Sequence, residues 1–230
     1  MFSNITSQIL HAMPTITLRH LAFIAAIMTP LIASSQNENT GRMTKEATVD
    51  NYFTAKYEVL ASDSSTKDGK YTLYYRDAPI ESGEYKMGKK SGIWEYRNLR
   101  KMTELKYDHT ARRPTYMLPH EGHKYNTRNY PCTFIGSPLI PFFFIHTRAY
   151  YPKAEADNPD GGNVILRLMI SPQGKLTSFM IKQATSENFA EVVRKAAIAI
   201  PKDKWRWVPA MKDGKRVEGT YDITILFDNE

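Results

Sequence analysis

The sequence predicts an α+β protein in which an antiparallel β-β-α-β unit follows a small all-β block of hairpin repeats. Three observations carry that expectation. Apolar residues alternate at Val164, Leu166, Leu168 and Ile170, and again at Tyr221, Ile223, Ile225 and Phe227, the two-residue period of a strand with one buried face. Between them Phe189, Val192, Val193, Ala196, Ala197 and Ile200 recur at the spacing of a single helical face. Upstream, Asp68-Gly69-Lys70-Tyr71-Thr72-Leu73-Tyr74-Tyr75 is echoed by Ser91-Gly92-Ile93-Trp94-Glu95-Tyr96, one hairpin per unit.

Residues 1–35 contain the apolar run Leu21 to Ile32, preceded by Arg19 and His20 and followed by Ala33-Ser34-Ser35, the layout of a secretory signal with a small-residue cleavage site. As a helix that run would reach roughly 18 Å, short of the ~30 Å hydrocarbon core of a bilayer. A short uncleaved anchor is the alternative reading. Residues 36–51 are polar and read as a tether. Residues 52–109 hold the Gly/aromatic echoes, and a weaker pair links Glu81 to Lys90 with Met102 to Tyr107. Residues 110–140, with several prolines, read as an irregular connector.

The terminal unit, residues 141–230, starts with the apolar lead-in Pro141-Phe142-Phe143-Phe144-Ile145 and breaks at Tyr151-Pro152, because a proline disfavours helical geometry in the residue before it. Ser171-Pro172-Gln173-Gly174 supplies a tight reversal into a second strand through Leu176, Phe179 and Ile181. Thr185-Ser186-Glu187-Asn188 reads as a helix start and Pro201 as its stop. Trp205, Trp207 and Pro209 lie in a crossing segment, and Asp213-Gly214-Lys215 makes a turn before the last strand.

With 42% hydrophobic and 24% charged residues, 230 positions suffice for one good core or two small ones. The formal charge is +7, and removing residues 1–35, which carry Arg19 and no acidic residue, would leave +6. The basic residues are scattered through repeats and loops, which argues against a nucleic-acid partner. Cys132 is the single cysteine, so neither an internal disulfide nor a thiolate metal site can form. His120-Glu121-Gly122-His123 lacks the four-residue histidine spacing that places two imidazoles on one helix face, so no metal is expected. No nucleophile constellation or phosphate loop stands out, and neither a catalytic residue nor a cofactor is expected.

The glycine before the first strand, the Ser171-Pro172-Gln173-Gly174 turn, the amphipathic helix, the Trp205-Arg206-Trp207-Val208-Pro209 element and the final Ile225-Leu226-Phe227 occur in an order that resembles the TonB C-terminal domain, over Ile145 to Asp228. The upstream pattern Gly-x-Tyr-x-x-Gly-x-x-x-Gly-x-Trp-x-Tyr, from Gly83 to Tyr96, is similar to MORN-type repeats. The TonB resemblance implies a periplasmic domain that adds an extended segment of an outer-membrane receptor, or of another envelope protein, to a sheet edge. The partner-binding strand it implies is Thr220, Tyr221, Asp222, Ile223, Thr224, Ile225, Leu226 and Phe227, with Arg148, Tyr150, Tyr151 and Pro152 as a second contact segment. An energy transducer working with an inner-membrane motor complex would need the leader as an uncleaved anchor, and a long extended spacer is not recognisable. A homodimer that covers the last strand with a second copy, and an envelope hydrolase using the loop histidines, are the remaining alternatives.

Overall fold

The computed structural model describes residues 41–119, 126–156 and 161–228. The leader, the loop histidines and most of the spacer after Ala156 lie outside the described residues. Seven strands form one antiparallel meander in sequence order: β1 (Arg42–Thr48), β2 (Phe53–Leu60), β3 (Asp63–Tyr75), β4 (Ala78–Lys86), β5 (Lys89–Arg97), β6 (Thr103–Asp108) and β7 (Arg113–Met117). The Gly/aromatic echoes fall on the β3–β4 and β5–β6 hairpins.

One face of the meander is a continuous aromatic row. Tyr57 and Tyr71 lie 6.2 Å apart between ring centroids, Tyr71 and Trp94 5.4 Å, and Tyr85 meets Trp94 edge-on at 5.2 Å. Trp94 is 0% exposed because it lies across the backbone of Gly83 on the neighbouring strand, where an added Cβ would sit 2.4 Å from the indole. The indole N–H then donates to the Glu84 carbonyl at 3.1 Å.

Two segments depart from the expectation drawn from composition. Residues 42–48, read as tether, form β1, which pairs with residues 54–60 in unbroken register. Strand pairing uses backbone groups and needs little apolar surface, and Arg42 adds an ion pair to the buried Asp68 at 2.6 Å. Residues 113–117, inside the expected connector, pair with β6 as β7.

The second body is a three-stranded antiparallel sheet with β9 (Gly162–Ile170) at its centre, flanked by β10 (Leu176–Ala184) and β14 (Gly219–Phe227). Gly174, at a φ of 72°, closes the β9–β10 turn, and its N–H donates to the Ser171 carbonyl at 2.9 Å. A Cβ there would meet the Trp207 carbonyl at 2.2 Å, so the turn seats the Trp element directly. Helix α2 (Glu187–Ile198) starts on Ser186, whose hydroxyl accepts from the Phe189 N–H. It buries Phe189, Ala190, Val193, Ala196 and Ala197 against β9 and β10.

Helix α1 (Leu139–His146) joins the bodies. A short helix apolar from Leu139 to Ile145 offers little polar surface, and this one buries Leu139, Pro141, Phe143 and Ile145 between two cores. Phe143 stacks on Tyr52 at 4.4 Å and Tyr75 at 5.0 Å in the aromatic sheet, while fully buried Ile145 belongs to the core beneath the three-stranded sheet. Short pairs complete the joint. β8 (Thr133–Phe134) pairs with β11 (Trp207–Val208), and β12 (Ala210–Lys212) pairs with β13 (Lys215–Val217).

Candidate functional site: the β14 edge

The sheet order β10-β9-β14 leaves β14 paired on one side. Its register with β9 runs without interruption from Gly219 opposite Ile170 to Phe227 opposite Gly162. The other edge, β10, is broken by two register shifts, between Leu176 and Ser178 and between Ile181 and Gln183. Bulges of that kind twist an edge away from further pairing, so β14 is the edge that keeps a regular ladder.

The direction of the β14 backbone groups follows from β9. Asn163 donates its N–H to the Thr185 hydroxyl at 2.9 Å and accepts the Thr185 N–H at 3.0 Å, so its backbone points toward β10. The Met169 carbonyl, which accepts the Thr177 hydroxyl at 3.0 Å, points the same way. Backbone direction alternates along a strand, so Gly162, Val164, Leu166, Leu168 and Ile170 point toward β14. Their register partners Phe227, Ile225, Ile223, Tyr221 and Gly219 are bonded inward. Thr220, Asp222, Thr224 and Leu226 therefore direct their N–H and C=O groups outward. Among the described residues, no other backbone hydrogen bond reaches β14.

The side chains divide the same way. Ile223, Ile225 and Phe227 are buried beneath the helices, with Tyr221 packed against the same core. Thr220, Asp222, Thr224 and Leu226 lie on the uncovered face. Asp222 is the only charged residue of β14, and it is drawn back across that face. Arg167 on β9 grips both its oxygens at 2.8 Å, and Lys182 on β10 bonds Oδ2 at 2.9 Å. Partial burial pulls the Asp222 carboxyl upward, but the bonds and charges of Arg167 and Lys182 outweigh it and hold the group below its ordinary value. Edge strands are commonly protected by exposed charge, and here the one charge is neutralised inside the sheet.

The second expected contact segment lies just beyond α1. Arg148 stacks its guanidinium 3.9 Å from the Phe144 ring and donates to the Phe144 carbonyl at 3.0 Å. Tyr150 is 68% exposed. Tyr151 packs edge-on to Phe189 at 5.4 Å and to Phe227 at 6.3 Å, so it touches the end of β14 from the core side. Pro152, in extended conformation, precedes the single 3-10 turn Lys153–Glu155.

Arg167 and Lys182 did not stand out in the sequence as site residues. The signal available was their position on the polar side of alternating strands. Cys132 is buried beside Gly219, and burial pushes its thiol up to about 12, which leaves it unreactive at neutral pH. The described residues hold no group of three or more His, Cys, Asp or Glu side chains able to bind a metal ion.

Residues 147–228 match the family model of the Gram-negative bacterial TonB protein C-terminal, within the span expected from the turn, helix and Trp elements. No curated protein matches the chain. TonB C-terminal domains are non-enzymatic and mediate protein–protein interactions in the cell envelope.

Proposed function

We propose that this protein works in the periplasm and captures an extended segment of an envelope partner by adding it as a fourth strand beside β14, the partner being the exposed segment of a TonB-dependent outer-membrane receptor. The observation that carries this reading is the regular nine-residue edge whose only charge is tied inward. Four residues offer outward donor and acceptor groups, a match for a strand of about eight residues. Backbone pairing supplies affinity with little sequence demand, and the open-face row Thr220, Asp222, Thr224 and Leu226 tunes choice. Tyr151 braces the Phe227 end, and the exposed Arg148 and Tyr150 beside it extend the contact. The aromatic hairpins, similar to MORN-type units, act as the scaffold on which α1 and β14 are set. The leader directs export. Among the described residues no helix is long and apolar enough to cross a membrane.

The test uses hydrogen exchange of the full chain with a synthetic receptor segment. Binding should protect the amides of Thr220, Asp222, Thr224 and Leu226 while leaving those of Ile223 and Ile225 unchanged. Thr224→Pro removes an outward donor and spares the β9 ladder, so it should fold and bind about tenfold more weakly. Ile223→Pro removes an inward donor and should destabilise the sheet. Uniform protection of both sets, or full affinity in Thr224→Pro, would rule out strand addition. Protection of the outward amides that grows with protein concentration alone would identify a second copy as the occupant.

A further inference from the structure

We propose that the end of the aromatic face away from Phe143 is an oxyanion site, with Lys67 and Lys90 as its cations and a carboxylate- or phosphate-bearing ligand as its occupant. This site is independent of the β14 edge. Lys67 projects from β3 into a three-sided ring enclosure, its Nζ 4.8 Å from the centroids of Tyr57 and Tyr71 and 5.3 Å from Tyr85. Lys90, on β5, lies 3.9 Å over Trp94. Tyr71, Tyr85 and Trp94 are in mutual contact, so the two ammonium groups flank one aromatic floor.

The charges on this floor do not balance. Ring faces attract a cation but accept none of its N–H bonds in the way an oxygen does, and the Lys67 ammonium makes no hydrogen bond or ion pair among the described residues. Lys90 reaches Glu81 Oε2 and the Tyr96 hydroxyl only at 3.4 Å. Glu81 is itself buried, and its other oxygen holds the Ser137 N–H at 2.9 Å, so that carboxylate is committed to anchoring the loop before α1. His109, bonded through Nε2 to the Tyr96 hydroxyl at 2.7 Å, adds no charge, because burial and Lys90 push it down to about 4.

Of these two half-buried ammonium groups, Lys90 has one long contact with a buried carboxylate and Lys67 has no carboxylate partner among the described residues. Burial first, and then the neighbouring Lys90, pull Lys67 below its ordinary value, which marks a cation in want of an anion. A half-buried phenol supplies a neutral donor beside it: burial first, and then Glu81, push Tyr85 up to about 12, so it keeps its proton across the physiological range. An oxyanion seated here would take charge-assisted bonds from Lys67 and Lys90 and a neutral bond from Tyr85.

Thermal melts of the full chain, titrated with inorganic phosphate and separately with citrate against chloride at equal ionic strength, test the proposal. A saturable rise in Tm with either probe is expected in the wild type, and at least a tenfold loss of apparent affinity in Lys67→Met and in the Lys67→Met/Lys90→Met pair. Without a probe, Lys67→Met should melt at or above the wild type, because it removes a desolvated cation that lacks its anion. Absence of a saturable shift with both probes, an unchanged shift in the variants, or a lower unliganded Tm for Lys67→Met would each overturn the site, the last by showing that the ammonium is a packing element. Co-sedimentation with phosphatidylglycerol but not phosphatidylcholine vesicles, lost in the double variant, would assign the oxyanion to a lipid headgroup. Vesicle binding that survives in the double variant would place the anion elsewhere and overturn the assignment.

Discussion

At the scale of one residue, Asp222 is the charge of β14, held on the open face by Arg167 and Lys182. Its side chain is about a third exposed, as are Arg167 and Lys182, so the network is worth only about 1 kcal/mol despite the bidentate geometry. The sign of its pH dependence is fixed. A carboxyl held below its unfolded value stabilises the fold fully above that value, near 3.9, and loses the contribution as pH falls through its own lower pKa. Asp222→Asn should therefore lower stability by about 1 kcal/mol at pH 7 in urea melts, with the difference from wild type vanishing in strong acid. A constant difference across that range would mean the cost comes from packing and not from charge. Arg167 and Asp222 are 55 residues apart in the chain, and only the cross-strand register brings them together. Alternation placed each on a polar face, but it carries no information about which strands are neighbours, so the pair was not legible in the sequence.

Among the elements, α1 shows why some of the fold was legible and some was not. The amphipathic α2, the β9 and β10 pair and β14 all have one wet and one dry face, and that contrast writes a period into the sequence. Pro141-Phe142-Phe143-Phe144-Ile145 has no such contrast because its residues, buried or partly buried, divide between two cores, so its apolar run marked a lead-in without revealing that it is the joint between two sheets. β1 failed to register for the opposite reason, since its partly exposed polar residues contribute a backbone ladder and little core. Phe143 meets Tyr52, Phe53 and Tyr75 on the aromatic side. Phe143→Ala should cost about 3–5 kcal/mol, the range for a buried aromatic truncated in a packed core. Near-ultraviolet circular dichroism and urea melts would show it, and a loss below about 1 kcal/mol would mean that α1 merely rests on the meander.

For the whole molecule the question is whether the family-matched segment stands alone. It begins at residue 147, yet the core it encloses includes Cys132, Phe134 and Ile145 from outside it. Trp207 pairs with Phe134 across β8 and β11, and α1 packs over β14. Val208, inside the segment, lies in the core of the aromatic sheet. Each body thus completes the other, and the chain should unfold in one cooperative step. Tryptophan reports on both: Trp94 sits in the meander, Trp205 and Trp207 in the other core. A variant keeping only Trp94 and one keeping only Trp205 and Trp207 should show coincident urea midpoints once each is referred to its own circular-dichroism transition. A fragment of residues 147–228 should lack that cooperativity and bind a hydrophobic dye, because the loss of α1 and β8 bares part of the core under β14. Distinct midpoints for the two tryptophan sets, together with a cooperative fragment, would show two independent domains, and β14 would then owe its open edge to its own sheet and not to the scaffold behind it.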